Sequence, residues 1–382
     1  MYRLSRVRIS GFRRLDEVNL PVRPFMALIG ANGVGKTSLL DAFSILSASA
    51  SGNLNAMLSR LGGIASLVTR GKREDIQFAV AMDVPDHKPL EYGIGLAPTA
   101  NGYTISYEVL SQEKEGYPAP FKHIDSSDRD IRYYEIGSNR LIRPDWEHNP
   151  LETSLAQVPK MFRQPEELRR ILATATQYHA LDISPRAPIK LPQLMKPAIL
   201  PGADGEDLVP YLYYLRETDR NRFDVIVDAL VAAFPDFKGI SFPPVAAGVL
   251  AMTWEDRRFG KPFYMNELSE GTLRFLWLVS LLQSPHLSTV TMIDEPEISL
   301  HPELLSLLAD LMREASKRTQ LIVATHSDRF IRFLQPEEVV VMDIDEAGCT
   351  TATWADTLDL EHWLEDYSLD EVWRMGRLGG RS

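Results

Sequence analysis

The sequence predicts an α/β chain with a mixed, mainly parallel sheet, an antiparallel β-subdomain and a helical insertion. Three observations predict it. The continuously apolar run Phe25-Met26-Ala27-Leu28-Ile29 leads through a glycine-rich loop into a helical stretch, as a strand covered on both faces does. Alternating strings between Asp75 and Val109 read as antiparallel strands with one solvated face. After about Leu250, strands and helices alternate, the pattern of parallel strands joined by crossover helices.

In chain order, Leu4 to Ile9 reads as a strand and Gly11 to Arg14 as a turn before the apolar strand. Ile76 to Val80 and Tyr103 to Tyr107 alternate apolar and polar residues, with Asn101-Gly102 as a turn between neighbours. From about Pro144 to Pro244 prolines multiply, and helices are expected over Pro165 to Thr176 and Asp219 to Phe234. This segment keeps no sustained heptad and is no long coiled-coil arm. The last third reads as strand Leu250 to Trp254, helix Gly271 to Gln283, strand Val290 to Ile293, helix Pro302 to Ala315 and strand Gln320 to Thr325. A hairpin of Val339 to Met342 with Thr350 to Trp354 and a short C-terminal helix close the chain. The expected organisation is an N-terminal lobe over 1–143, the insertion over 144–244 and a C-terminal lobe over 245–382.

The 382 residues are 45% hydrophobic and 24% charged, which suits a globular chain with a sizeable core. A net charge of −11 provides no global positive field for nucleic acid or anionic membrane, so any DNA contact needs a local patch. Arg169, Arg170, Arg216, Arg220 and Arg222 form such a patch or, with the acids among them, solvated faces. The single cysteine, Cys349, excludes an intramolecular disulfide. No run approaches the roughly 20 apolar residues that span a bilayer, and the N-terminus lacks a signal peptide's apolar core. A cytoplasmic chain without membrane contact is expected.

Gly30-Ala31-Asn32-Gly33-Val34-Gly35-Lys36-Thr37 fits the phosphate-loop pattern and stands between a buried strand and a helix. Glycines let backbone N–H groups turn toward a polyphosphate, the helix N-terminus adds partial positive charge, Lys36 reaches terminal phosphates and Thr37 offers its hydroxyl to Mg²⁺. Asn32, Gly33, Gly35, Lys36, Thr37 and Ser38 are the candidate nucleotide contacts here. Asp294 and Glu295 end an apolar strand, where ligands of parallel sheets bind. Adjacent carboxylates favour a cation: Asp294 is the candidate metal ligand beside Thr37, and Glu295 the candidate base for an attacking water. In Leu268-Ser269-Glu270-Gly271-Thr272-Leu273-Arg274, Ser269 suits a helix N-cap, Glu270 a positive first turn and Gly271 a close backbone approach.

That last string resembles the signature motif of ABC-type ATPases, and its place before the carboxylate strand strengthens the likeness. The resemblance implies an ABC-ATPase-like P-loop fold in which Ser269 and Gly271 face the nucleotide bound by a partner subunit. It also places His326, after Leu321 to Thr325, at the switch histidine beside the γ-phosphate. Glu295, His326 and Lys36 are then the candidate catalytic residues. The string Asp294-Glu295-Pro296-Glu297-Ile298-Ser299-Leu300-His301-Pro302 is similar to stand-alone relatives of the RecF, SMC and OLD group, in which this loop crosses a dimer interface; His301 itself reads as a cap or packing residue. Gln77 is the nearby candidate for the family's lid glutamine and a metal contact. Arg13, in Gly11-Phe12-Arg13-Arg14, touches nucleotide or is a solvated turn charge.

The resemblance covers the N-terminal third and everything after about Leu250. It implies an Mg²⁺-dependent ATPase that forms a homodimer around ATP and works in DNA maintenance or anti-phage defence, beside a separately encoded nuclease or toxin-like partner and with DNA as a further possible ligand. Alternatives are an OLD-like nuclease component and the nucleotide-binding subunit of a transporter.

Overall fold

The computed structural model describes residues 2–114, 116, 119–127, 130–135, 137–157, 163–360, 363, 367–376 and 378. In chain order, β1 (Arg3–Phe12), β2 (Leu15–Pro21) and β3 (Phe25–Ile29) precede α1 (Lys36–Ser51), α2 (Leu54–Arg60) and α3 (Ile64–Leu67). Then come β4 (Ile76–Asp83), β5 (Leu90–Thr99), β6 (Gly102–Gln112), β7 (Phe121–Ser127), β8 (Tyr133–Glu135) and β9 (Arg140–Ile142). The middle holds α4 (Ser154–Gln157), α5 (Arg163–Ala173), β10 (Thr176–Tyr178), β11 (Gln193–Leu194), α6 (Leu208–Thr218) and α7 (Arg220–Ala233). Short strands β12 (Phe237–Ser241), β13 (Pro244–Ala246), β14 (Val249–Leu250), β15 (Thr253–Asp256) and β16 (Phe263–Tyr264) lead to α8 (Glu270–Leu282). The chain ends with β17 (Val290–Asp294), α9 (Leu304–Ser316), β18 (Gln320–Ala324), α10 (Asp328–Ile331), β19 (Val339–Ile344), β20 (Thr350–Trp354) and α11 (Leu369–Arg374).

The central sheet runs β10-β17-β18-β3-β19-β20, parallel throughout except for the terminal β19–β20 hairpin. A larger antiparallel sheet, β2-β1-β4-β5-β6-β7-β8-β9, lies beside it. Side-chain alternation along β3 explains why its whole run is apolar: Met26 and Leu28 enter the core shared with α1 and the antiparallel sheet, while Phe25, Ala27 and Ile29 enter the core shared with α6 to α9. The crossovers through α9 and the other connections bring the C-terminal ends of β17, β18 and β3 to one edge, with Asp294 beside Ala324 and Ala324 beside Leu28.

The mixed α/β class agrees with the expectation, and several elements differ in detail. The run Leu250 to Trp254 is not one strand: β14 and β15 join different three-stranded sheets, β11-β14-β13 and β12-β15-β16. The helix expected through Thr176 stops at Ala173, and Thr176–Tyr178 pairs parallel to β17 as the edge of the central sheet. β5 escaped the sequence reading because Gly93, Gly95 and Pro98 make it look like a loop. Gly95 is needed there, since a Cβ would stand 2.5 Å from the Tyr107 ring that lies across it. The five arginines of the candidate patch each meet a nearby acid: Arg169–Glu166, Arg170–Glu167, Arg216–Glu217, Arg220–Asp224 and Arg222–Asp219. They form locally neutralised helix faces rather than a bare cationic surface.

Candidate nucleotide site

The loop between β3 and α1 has the backbone of an anion cradle. Gly30, Gly33 and Gly35 all have positive φ, and a Cβ on Gly30 would stand 2.4 Å from the Met342 carbonyl oxygen. Gly35 caps α1 without any side-chain hydrogen bond, so the first N–H groups of the helix are left for a ligand. Lys36 Nζ donates to the carbonyls of Gly30 at 2.7 Å and Ala31 at 3.0 Å, which folds the side chain back over the loop. Burial pushes its ammonium below the ordinary lysine value, with Glu295 and Asp294 opposing that shift. Asn32, Gly33 and Thr37 are exposed. From the hairpin, Thr350 Oγ1 donates to the Val34 carbonyl at 2.6 Å and props the loop from below; the sequence reading had no signal for it.

Arg13 sits in the left-handed region, φ 54°, and its guanidinium donates to Asp41 at 2.6 Å and to Ser38 Oγ at 3.3 Å. The opening turn is thereby tied to the first turns of α1.

Across the edge, Asp294 and Glu295 follow β17. Burial and the neighbouring Glu295 raise the Asp294 carboxyl above its ordinary range. Glu295 adopts φ 50°, and its backbone N–H donates to the Ala324 carbonyl at 2.8 Å. That strained conformation turns the side chain toward the end of β18, where His326 Nδ1 lies 2.9 Å from Glu295 Oε1. Glu297 is buried, accepts from the Thr325 hydroxyl, and is likewise raised by burial. A half-buried acidic pair beside a cationic loop fits a divalent metal carried by a polyphosphate. Among the described residues no group of three or more His, Cys, Asp or Glu side chains is arranged to hold a metal by itself, so phosphate oxygens would have to complete its shell.

Ser269 is exposed and caps α8, its Oγ accepting from the Thr272 N–H at 3.2 Å. Glu270 accepts from Ser299 Oγ at 2.7 Å and from Arg274 Nε at 3.0 Å. A Cβ on Gly271 would stand 2.6 Å from the Ser299 carbonyl oxygen, so the glycine is what lets the loop after Glu295 pack on this helix end. His301 is exposed and lies 3.6 Å from Glu303.

Gln77 is placed elsewhere. It lies on β4, with Nε2 donating to Asp75 at 2.9 Å, in a cleft lined by Arg8, Ser10, Glu17, Asn19 and Tyr107, none of which belongs to the phosphate loop or the carboxylate strand. The residue brought beside Asp294 is His179, just after β10. It lines a small recess with Arg274, Asp294 and Glu295. No sequence signal marked it, because three residues of strand after a helix look like a helix tail.

A family model described as "AAA domain, putative AbiEii toxin, Type IV TA system" matches residues 25–332. Over 43 residues the chain is 40% identical to the OLD nuclease of Thermus scotoductus, a stretch that is 11% of this chain and 8% of that protein. The matched part is therefore a small fraction of that relative. Among solved structures, an Smc head bound to the C-winged helix domain of ScpA is 16% identical with a TM-score of 0.56, covering 92% of this chain and 97% of that one. An Smc head domain with an extended coiled coil from Pyrococcus furiosus, bound to the C-terminal domain of ScpA, is 13% identical with a TM-score of 0.53, covering 99% of each chain. At these identities the likeness is one of fold. No described helix is long and apolar enough to cross a membrane.

Proposed function

Because the chain belongs to the AAA_21 family of AAA domains and carries the head fold of RecF-, SMC- and OLD-like ATPases, we propose that it binds ATP with Mg²⁺ and hydrolyses it between two copies of itself. The observation that carries this reading is the convergence at one sheet edge of Lys36 after β3, Asp294 and Glu295 after β17, and His326 after β18.

In the proposed site the N-terminus of α1 and the glycine-rich loop bind the phosphates, and Lys36 exchanges its two carbonyl contacts for phosphate oxygens. Thr37 and Asp294 would hold Mg²⁺, which would supply positive charge to offset that of the polyphosphate. Asn32, Gly33, Gly35 and Ser38 line the cradle, and Arg13 steadies its helix through Ser38 and Asp41. Glu295 takes a proton from the attacking water, and His326 orients that carboxylate through the contact described above. Gln77 has no part in this site.

Ser269 and Gly271 present an exposed helix N-terminus to the partner's γ-phosphate, so ATP joins the two copies and hydrolysis releases them. We read 1–143 and 245–382 as the two lobes and 144–244 as the segment inserted between them, which returns a strand, β10, to the central sheet. The family description names a toxin of a type IV toxin–antitoxin system, and the short match is to an OLD nuclease. Both support a role as an effector or regulatory subunit in defence or DNA maintenance, acting with a separately encoded nuclease or toxin-like protein.

Phosphate release from ATP by the purified protein tests the reading. It is expected with Mg²⁺ and abolished by EDTA; turnover unaffected by chelation would contradict it.

A further inference from the structure

We propose that His179 supplies a nitrogen ligand to the divalent metal of the nucleotide site, the position for which Gln77 was the sequence candidate. The inference rests on the proposed ATP site and adds a residue to it.

Three observations carry it. Parallel pairing of Thr176 with Thr291, Gln177 with Met292 and Tyr178 with Ile293 brings the chain that continues into His179 and the end of β17 at Asp294 to the same sheet edge, where both line one recess. The strand residues before His179 alternate between the two faces of the sheet. Tyr178 packs edge-on against Trp277 of α8, ring centroids 5.7 Å apart, whereas Gln177 turns to the other side and accepts from Ser44 Oγ of α1 at 2.7 Å. His179 follows the last residue of β10 and lines both the α1-side cleft with Ser44 and Gln177 and the recess with Arg274, Asp294 and Glu295. Asp294, the last residue of β17, falls on the α1 side, since Met292 belongs to the α1 core and Ile293 to the opposite one. The metal expected between Thr37 and Asp294 would lie on that same face.

His179 is also free to act. It is exposed, it takes part in no hydrogen bond or ion pair among the described residues, and it lines both the recess at Asp294 and Glu295 and a cleft of about 610 Å³ along Ser44, Ser47 and Gln177. A neutral imidazole in place of an amide changes which ions fit. Nitrogen ligands suit Mn²⁺ and later ions better than Mg²⁺, which prefers an all-oxygen shell. The site is then biased toward Mn²⁺.

Pulsed electron paramagnetic resonance of the full-length protein, with ¹⁵N-labelled histidine, Mn²⁺ and ATPγS, reads the contact directly. The hyperfine coupling of a bound imidazole nitrogen is expected in the wild type and in His326→Gln, and is expected to vanish in His179→Gln. In the same variant the ratio of Mn²⁺ to Mg²⁺ affinity of the nucleotide complex should fall about tenfold. Nucleotide bound with Mn²⁺ but without nitrogen coupling, or coupling that persists in His179→Gln, overturns the role of His179 alone. Failure of ATPγS to bind with either metal overturns the nucleotide site and this inference together.

Discussion

The imidazole Nδ1 of His326 lies 2.9 Å from a carboxylate oxygen of Glu295, linking the ends of two adjacent parallel strands. Glu295 is held in the left-handed region to make that contact, a conformation unfavourable for a residue with a Cβ. His326→Gln should lower kcat for ATP roughly a hundredfold, the scale of a displaced general base, while leaving nucleotide affinity within a few-fold. Parallel steady-state kinetics and equilibrium binding with a fluorescent ATP analogue separate the two quantities. Equal losses in both would assign His326 to binding instead.

Lys36 is held by two carbonyls of its own loop, at 2.7 and 3.0 Å, and among the described residues by no carboxylate hydrogen bond. In the proposed site, phosphate oxygens take the place of those carbonyls. Lys36→Ala should therefore weaken ATP binding by about 10- to 100-fold, the scale of one or two charge-assisted hydrogen bonds, as titration calorimetry would show. Unchanged affinity would remove Lys36 from the site.

Glu297 has its carboxyl raised by burial above the ordinary value of 4.5, despite the hydroxyl of Thr325 donating to it. The native state therefore holds this proton more tightly than the unfolded chain, and stability falls as pH rises from 4.5 through the folded-state pKa. Glu297→Gln removes that titration. Its melting temperature relative to the wild type should climb with pH across this window, equivalent to at most about 1.4 kcal/mol per pH unit. Thermal unfolding of both proteins at several pH values checks the sign, and a difference that stays constant or shrinks with rising pH would contradict the burial argument.

The nucleotide-binding half of the fold was legible because its signals are local. β3, the loop through Thr37, α8 and β17 each combine an apolar run with a glycine, a capping residue or a carboxylate pair at one end, and the structure places each within about two residues of the expected bounds. What the sequence hid depends on tertiary pairing. β10 is three residues long, and only its register against β17 turns a helix tail into a sheet edge that delivers His179. β5 is a strand despite two glycines and a proline, since neighbours on both sides supply its ladder. Thr350 is 316 positions from the Val34 carbonyl it supports, and no pattern along the chain connects them. Gln77 shows the converse: a residue of the right type lay on a correctly expected strand, but that strand belongs to the antiparallel sheet.

The central claim is that a triphosphate joins two copies through the exposed cap of α8 at Ser269. Glu295→Gln should keep ATP and Mg²⁺ bound while blocking the step that releases them. Its mass in solution, measured by sedimentation velocity with and without ATP and Mg²⁺, is the direct test. The account predicts a monomer without nucleotide and a dimer with it; a monomer under both conditions, with ATP demonstrably bound, would contradict it.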